Sequence, residues 1–246
     1  MTIVALADTH MVAPGGRYAG NDPWAMLERA LGLIDRLEPD LVIHAGDIVA
    51  APARRPVYRA FFDRLAVRGH AAPWHLIPGN HDDKVLLSQF ADRIPAQAGI
   101  HVHTMPTRLA LPGYAPLVML PDRAGAAAVS ASLEHEDWSI AVTHRHLTPT
   151  GAHWIDATIH PQRQALLQSI SQRGNRMVIN GHTHRWATNT YPADTQPLIL
   201  TLDGLATTFD HAASAWALAA HRPSVALIEC SDSGDNGVPR VQRLAC

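Results

Sequence analysis

Residues 3–10 have the sequence Ile-Val-Ala-Leu-Ala-Asp-Thr-His, an apolar run that ends in two residues with metal-binding side chains, Asp8 and His10. Five consecutive apolar residues that stop at a polar cluster predict a strand buried on both faces. Asp8 and His10 are two positions apart, so in extended backbone both side chains would point to the same face and could bind one ion together. The segment predicts a central strand that leads into a site.

The same arrangement recurs four more times along the chain. Strands predicted at 41–45, 74–77, 139–143 and 177–179 are followed directly by Gly46-Asp47, Gly79-Asn80-His81-Asp82, His144 and Gly181-His182-Thr183-His184. Residues just beyond the carboxyl ends of parallel strands converge on one crevice of an α/β sheet. The glycines before Asp47, Asn80 and His182 allow tight turns at these positions. We therefore expect the five clusters to form a single site.

Amphipathic stretches separate these strands and predict covering helices at 23–37, 57–67, 84–94, 124–135, 162–172 and 210–220. Either Asn21 or Asp22 is expected to cap the first helix. Further strands are predicted at 3–7, 100–111, 117–120, 198–202, 225–228 and 238–244. The first half is a repeated β-loop-α unit, and no Gly/Ser linker or internal repeat divides the chain. The pattern indicates one α/β sandwich domain over residues 1–246.

The composition excludes several classes of function. The 20 basic and 22 acidic residues are interspersed and give a formal charge of -2, so no basic stripe is available for a nucleic-acid backbone. No apolar run approaches the length of about 18 residues that spans a bilayer. The amino terminus has no basic region, apolar core and cleavage site of a secretory signal, so we expect a cytoplasmic protein.

The cysteine and histidine counts limit the choice of metal ligands. Cys230 and Cys246 are the two cysteines of the chain, which rules out a thiolate zinc site and leaves His, Asp and Asn. Sixteen histidines are present, and imidazole is a common metal ligand. Carboxylate, amide and imidazole donors together suit manganese, iron or zinc. The clusters therefore predict a two-metal hydrolytic site.

Taken together, D-x-H, G-D, G-N-H-D, H and G-H-T-H in this order resemble the calcineurin-like metallophosphoesterase family, and most closely its compact class III cyclic nucleotide phosphodiesterase type. The resemblance runs from Asp8 to His184. It implies a four-layer αββα sandwich, in which two mixed sheets are flanked by helices and the metal site lies at the carboxyl ends of the strands.

The resemblance also implies a role for each site residue. Asp47 would bridge two divalent or mixed-valence ions, and His81 would face the substrate phosphate. Of the remaining ligands, one ion would be held by Asp8, His10 and His184, and the other by Asn80, His144 and His182. The implied mechanism is in-line attack on phosphorus by a hydroxide shared between ions about 3.5 to 4 Å apart.

Two departures from the family pattern affect the details. After Gly46-Asp47 the chain continues Ile-Val-Ala without a second acidic residue, which argues against the protein serine/threonine phosphatase branch. The fourth motif is Thr-His-Arg-His at 143–146, so His146 is an alternative to His144, which we prefer because it comes first after the strand. Arg145 is then placed to present its guanidinium to a phosphate.

Other candidate substrate contacts lie in loops that flank the predicted site. Arg17 and Asn21, with Tyr18 between them, follow the first cluster after a Gly-Gly hinge, and they are the contacts we prefer. Weaker candidates are Arg54, Arg55, Arg185 and Trp186, together with His153 beside Trp154. The remaining histidines, among them His44, His75, His101 and His103, are expected to be core or surface residues.

These features predict a metal-dependent phosphohydrolase whose first substrate class is a small phosphodiester such as a cyclic nucleotide. A phosphomonoesterase, or a diesterase for glycerophosphodiesters or cyclic sugar phosphates, is the alternative within the same chemistry. A non-catalytic, metal-bound interaction scaffold is the alternative of another class. Nucleic acid and membrane are not expected as partners, and the sequence leaves a homo-oligomer open.

Overall fold

The computed structural model describes residues 1–51, 55–69, 71–94, 98–134, 139–171, 176–190, 198–220, 223–230 and 239–246. The first half of the chain alternates strands and helices, as its sequence predicts. Its elements are β1 (Thr2–Leu6), α1 (Pro23–Leu37), β2 (Leu41–His44), α2 (Arg55–Arg68), β3 (Trp74–Leu76), α3 (Lys84–Ala91) and β4 (Ile100–Val102).

The second half begins with a hairpin and then returns to alternation. Its elements are β5 (Thr107–Leu111), β6 (Tyr114–Leu120), α4 (Ala126–Glu134), β7 (Ile140–Thr143), α5 (His153–Asp156), α6 (Arg163–Ser171), β8 (Met177–Asn180), β9 (Ala187–Thr190), β10 (Leu198–Thr201), β11 (Ser224–Glu229) and β12 (Arg240–Ala245). Among the helices of the described part of the chain, none combines the length and the apolar character needed to cross a membrane.

The strands form two six-stranded mixed sheets. The first has the order β12-β11-β1-β2-β3-β4 and the second the order β5-β6-β7-β8-β10-β9. Strands β1 to β4 are parallel in the first sheet, and β6, β7, β8 and β10 are parallel in the second. Among the described strands, those that pair antiparallel lie at the margins of these parallel blocks. All the strand ends that carry the predicted site belong to the parallel blocks.

Three buried clusters of apolar residues hold the layers together. Ile3 of β1 and Ile179 of β8 belong to the cluster that both sheets share. Val4, on the other face of β1, packs in a second cluster with the helices α1 and α2, and Val178 packs in a third with α4 and α6. Each central strand is thus buried on both faces, which explains its unbroken apolar run. The four-layer sandwich implied by the resemblance is confirmed.

Local chemistry determines where α1 begins and ends. Asp22 is the cap, because its carboxylate accepts hydrogen bonds from the backbone N–H groups of Trp24 and Ala25. Pro23 occupies the first turn, where its missing N–H group costs nothing. At the other end Glu38 adopts a left-handed conformation and its N–H donates to the carbonyl of Ile34.

Two predicted elements are wrong. The strand expected over 100–111 is divided into β4 and β5, which belong to different sheets, and Pro106 lies between them and lacks a backbone donor. The helix expected over 210–220 is a loop. The carboxylate of Asp210 accepts a hydrogen bond from Ala212 N and closes a turn, and the backbone N–H of Asp210 donates to Ala217 O. Asp210 therefore stabilises a loop and does not cap a helix.

Several histidines outside the clusters are packing residues, as expected. His44 is fully buried in β2, where its ring contacts Thr9 Oγ1 at 3.1 Å and Gly46 N at 3.3 Å. At the edge of the first sheet, His75 Nδ1 lies 2.9 Å from His103 Nε2, and the His75 ring stacks on His101. Burial, and then the charge of the neighbouring rings, lowers the pKa of His75 to about 3 and that of His103 to about 4.

These lowered pKa values predict loss of stability in acid. The unfolded histidines bind protons near their ordinary pKa of about 6.5 and the folded ones do not, so the free energy of unfolding falls as the pH drops from 7 to 5. Replacing both residues, as His75→Asn with His103→Asn, should reduce this fall by about 2 kcal/mol per histidine. Urea denaturation at the two pH values measures it. The exposed control His153→Asn should behave as the wild type, and an unchanged pH dependence in the double variant would contradict the interpretation.

Candidate metal centre

The five polar clusters meet where the carboxyl ends of the two parallel blocks face each other. Backbone hydrogen bonds join the loops of the first sheet, with Asp8 N donating to Gly46 O at 2.9 Å and His10 N to Asp47 O at 3.1 Å. The two sheets are joined by His182 N, which donates to Asp8 Oδ2 at 3.0 Å. The loops thus form one continuous network at this edge of the sandwich.

The backbone reaches this arrangement through left-handed turns. Positive φ angles occur at Asp8 (54°), His10 (40°), Asp47 (57°), His182 (71°) and His184 (52°). The expectation that Asp8 and His10 share a face because their backbone is extended is therefore wrong, although the side chains do converge. Non-glycine residues in this region cost roughly 1 to 3 kcal/mol each and persist only where their surroundings enforce it.

Two glycines are required because carboxylates occupy the space of a side chain. A Cβ on Gly79 would collide with the Asp47 carboxylate, and one on Gly181 would lie 2.6 Å from Asp8 Oδ2. Neither glycine has a positive φ angle, so close approach rather than backbone freedom explains both.

Asp8, His10 and His184 form the first group of ligand atoms. His10 Nε2 lies 2.9 Å from His184 Nε2, and His184 Nε2 lies 3.3 Å from Asp8 Oδ1. The three residues are buried, and their ligand atoms all lie within 4.8 Å of one another. This distance allows one ion to contact all three.

The second group consists of Asp47, Asn80, His144 and His182. His144 Nε2 lies 3.0 Å from Asn80 Oδ1, 3.2 Å from His182 Nδ1 and 3.4 Å from Asp47 Oδ2. Asp47 Oδ2 is also 3.7 Å from His10 Nε2 in the first group. The carboxylate of Asp47 thus stands between the two groups, in the position of a shared ligand.

Hydrogen bonds on the far side of three imidazoles orient them toward the centre. In each case one ring nitrogen contacts an oxygen outside the cluster and leaves the other nitrogen directed at the ligand atoms, an arrangement typical of metal-binding histidines. The pairs are His184 Nδ1 with Thr207 O at 3.0 Å, His144 Nδ1 with Ala45 O at 2.9 Å, and His182 Nε2 with Thr158 Oγ1 at 2.7 Å.

Burial and the charges of neighbouring groups shift the pKa values of the cluster in different directions. Burial opposes charge on His144, but the Asp47 carboxylate more than compensates and raises the pKa of His144 to about 10. The pKa of Asp47 is held well below its ordinary value: burial acts to raise it, and His144, His10 and His81 together outweigh that effect. His10 behaves oppositely, since burial and then His184 lower its pKa, and its Nδ1 has no partner among the described residues. The donor set fits divalent manganese, iron or zinc.

His81 stands apart from the buried ligands because its side chain is 39% exposed. Its Nδ1 lies 2.9 Å from Ala50 O, and its Nε2 lies 4.0 Å from Asp47 Oδ2. The ring therefore presents Nε2 at the mouth of the site, where a substrate oxygen could meet it.

The structure separates the two histidines of the fourth motif. His144 lies within the second group, whereas His146 Nε2 contacts Asp156 Oδ1 at 3.3 Å. Arg145 between them is engaged elsewhere: its Nε donates to Asp122 Oδ1 at 2.7 Å and a terminal nitrogen donates to Thr158 O at 2.9 Å.

A cavity of about 320 Å³ opens beside the ligand atoms. Its lining consists of His10, Tyr18, Ala19, Asp47, Asn80, His81, Trp154, Ile155, His182, His184, Phe209 and Trp216. The preferred substrate contacts Arg17, Asn21 and Arg145 are not among these residues. Arg17 is exposed and contacts Gly20 O, and Asn21 donates to Ala206 O.

Of the weaker candidates, Arg55 contacts Gln89, and Arg185 and Trp186 line a different groove; Arg54 lies outside the described residues. Tyr18 does line the cavity and stacks on His10 at 4.4 Å between ring centroids.

Sequence reasoning missed three aromatic residues of the cavity: Trp154, Phe209 and Trp216. His153, considered as a cavity residue, is exposed, and its neighbour Trp154 takes that place. The incorrect helix over 210–220 concealed Trp216. The available signal was the presence of these aromatic residues in the segments that follow β7 and β10.

Asp82 organises the loops of the first sheet without belonging to either ligand group. Its carboxylate accepts hydrogen bonds from Ile48 N, Val49 N, Gly79 N and the hydroxyl of Tyr58, at 2.9 to 3.2 Å. Burial, and then the charge of Asp47, raises the pKa of Asp82 to about 6. A single side chain thus holds the second and third clusters together.

A family model described as calcineurin-like phosphoesterase matches residues 1–186. The chain belongs to this family. The calcineurin-like resemblance drawn from the five motifs is thereby confirmed.

Several individual proteins resemble this chain in fold, and one resembles it in sequence. A dimetal phosphatase from Danio rerio superposes with a TM-score of 0.62 at 13% identity, covering 99% of this chain and 96% of that one. GAP50, the anchor in the inner membrane complex of Plasmodium, gives 0.61 at 9% identity, covering 100% and 88%. A probable cyclic nucleotide phosphodiesterase from Rhodopseudomonas palustris is 38% identical over 107 residues, which are 43% of this chain and 38% of that protein.

Replacing Asp82 by Asn tests its role in holding the loops of this calcineurin-like site. The amide would turn an NH₂ group toward backbone donors, so we expect a loss of about 2 kcal/mol in the free energy of unfolding, together with weaker manganese binding. Urea denaturation and calorimetric titration with manganese measure the two effects. Tyr58→Phe, which removes one donor, should cost about 1 kcal/mol. Equal stability of Asp82→Asn and wild type would refute the assignment.

Proposed function

We propose that the protein is a phosphohydrolase that uses two metal ions to cleave a small phosphodiester. The observation that carries this proposal is the position of Asp47, whose Oδ2 lies between His10 of one ligand group and His144 of the other. Two buried groups joined by one carboxylate support two ions, whereas a structural site would need one closed group.

Each residue then has a distinct task in the proposed reaction. Asp8, His10 and His184 would hold one ion, Asn80, His144 and His182 would hold the other, and Asp47 would be available to both. Bound ions of this kind supply an activated water for attack on phosphorus and neutralise phosphoryl oxygens. Because Nδ1 donates to the carbonyl of Ala50, His81 carries a proton on Nε2 only as an imidazolium, and in that form it would donate a hydrogen bond or a proton from Nε2 to the departing oxygen. Its Nδ1, held by Ala50 O, keeps the ring in that orientation.

The cavity favours a small diester over a polyanion. None of the described residues that line it is Lys or Arg, and its volume of about 320 Å³ is at the lower end of small-molecule sites, which span about 300 to 1,000 Å³. A diester carries one negative charge, so the ions and His81 suffice to balance it. The Rhodopseudomonas relative is named a probable cyclic nucleotide phosphodiesterase, which supports a cyclic nucleotide as first substrate.

The fold alone does not settle catalysis, because the Plasmodium protein with this fold is described as an anchor. The complete ligand set and the exposed His81 support an enzyme over a scaffold. A phosphomonoesterase would have to balance a second negative charge, and the described cavity residues offer no fixed cation for it.

Metal analysis with a substrate panel tests this proposal. Purified protein should contain up to two ions per chain, and with manganese it should hydrolyse bis(4-nitrophenyl) phosphate and cyclic AMP faster than 4-nitrophenyl phosphate. Chelation should abolish the activity and manganese should restore it. Faster cleavage of the monoester would favour the phosphomonoesterase, and metal content without any turnover would favour the scaffold.

Two substitutions separate metal binding from catalysis. His81→Ala should keep metal content near that of the wild type and lower kcat by about 100- to 10,000-fold, because a positioned acid is removed. Asp47→Ala should lose both ions, as measured by mass spectrometry of bound metal. His153→Ala, an exposed histidine outside the cavity, is the matched control and should retain full turnover. Undiminished kcat in His81→Ala would exclude the role assigned to that residue.

A further inference from the structure

One part of the cavity wall is built from three aromatic residues, Trp154, Phe209 and Trp216, here called the aromatic cleft. The ring centroid of Phe209 lies 5.7 Å from that of Trp154 and 5.8 Å from that of Trp216, with interplanar angles of 63° and 67°. Each indole is therefore steeply inclined to Phe209, and all three residues line the cavity.

Phe209 connects the aromatic cleft to the metal centre. Its ring stacks on His184 with 4.0 Å between centroids and 9° between planes. His184 is one of the proposed ligands, so a group held in the aromatic cleft would be separated from the metal centre by the ring of Phe209. That separation suits a phosphodiester whose organic part is attached close to phosphorus.

Trp216 is a large apolar residue that is exposed at the cavity, where a bound ligand would cover it. It is 55% exposed although it belongs to a loop whose ends are paired, with Asp210 N donating to Ala217 O and Ala219 N to Thr208 O, each at 2.9 Å. Trp154 Nε1 supports the same loop by donating to Ala213 O at 3.3 Å. A loop whose ends are joined by hydrogen bonds thus holds the large apolar ring of Trp216 at the cavity mouth, where about half of the residue is exposed to solvent.

The chemistry of the lining defines the kind of group that fits. The described residues of the lining offer no Lys or Arg, so a second anionic group would find no partner away from the metal centre. Flat aromatic faces favour a flat partner, and stacking of a base on an aromatic side chain changes affinity about five- to hundredfold, or about 1 to 3 kcal/mol. A neutral planar ring fits both conditions.

We propose that the aromatic cleft binds a planar aromatic part of the substrate, a nucleobase or a simple aryl group, and so selects esters that carry such a ring. The proposal rests on the proposed phosphohydrolase function and deepens it. It assigns Trp154, Phe209 and Trp216 as specificity-determining residues and makes the loop over 208–219 part of the substrate site.

Binding of three phosphate monoesters to the manganese-loaded full chain tests the proposal. AMP carries a nucleobase, phenyl phosphate carries a simple aryl group, and ribose 5-phosphate carries neither. Affinities are measured by calorimetry and by quenching of tryptophan fluorescence. We expect AMP, phenyl phosphate or both to bind five- to hundredfold more tightly than ribose 5-phosphate. The ligand with the larger advantage identifies the source of the ring.

Variants of the loop locate the effect. Trp216→Ala should reduce the preference over ribose 5-phosphate by about fivefold or more, and Trp216→Phe should restore most of it. Leu218→Ala is the matched control, because Leu218 is exposed on the same loop and does not line the cavity, and its preference should equal that of the wild type. Circular dichroism confirms that the variants fold.

Equal affinity for the three ligands, no binding of any of them, or an unchanged preference in Trp216→Ala would overturn the proposal. Turnover of bis(4-nitrophenyl) phosphate, measured on the same preparations, keeps the two proposals apart. Turnover without a ring preference would refute the role of the aromatic cleft and leave the proposed phosphohydrolase function intact. A ring preference without turnover would refute the phosphohydrolase function and leave the aromatic cleft as a ligand-binding site.

Discussion

A buried carboxylate surrounded by imidazoles is the constraint on which the rest of the structure depends. Asp47 is inaccessible to solvent, and nitrogen atoms of His10, His81 and His144 lie 3.4 to 4.0 Å from its Oδ2. A buried charge is costly unless it is paired or coordinated to a metal. Two of these histidines are oriented from outside the cluster, since His81 Nδ1 contacts Ala50 O and His144 Nδ1 contacts Ala45 O, which leaves their other ring nitrogens directed at the carboxylate. Cations between these donors would balance the carboxylate, and the surrounding fold serves to keep the donors together.

The loops accept local strain to achieve this convergence. Left-handed backbone at five of the proposed ligands opposes the ordinary preference of non-glycine residues. The compensation comes from features nearby: backbone bonds between loops, the four hydrogen bonds that Asp82 accepts, and two central strands buried on both faces. Strain of this kind is typical of functional sites, where a stable frame holds an otherwise unfavourable geometry.

The segment that follows β10 links metal centre and cavity. Leu205 N donates to Ala7 O and Ala206 N to Asp8 O, so a segment from the second sheet runs beside the end of β1. The same segment supplies the carbonyl of Thr207 to His184 and the ring of Phe209 that stacks on it. The same few residues thus orient the proposed metal ligand His184 and shape the aromatic cleft. A change in this segment would affect both the metal centre and the aromatic cleft.

The sequence by itself determined the central strands and the identity of the polar clusters, because an apolar run that ends in Asp, Asn or His is a local pattern. It also indicated the family, since five motifs in a fixed order form a specific combination. Only the tertiary structure decided how His144 and His146 differ, where Arg145 points, and which aromatic residues reach the cavity. These outcomes depend on contacts between segments far apart in the chain. The false helix at 210–220 has the same origin, because pairing of its ends outweighed the helical propensity of its alanines.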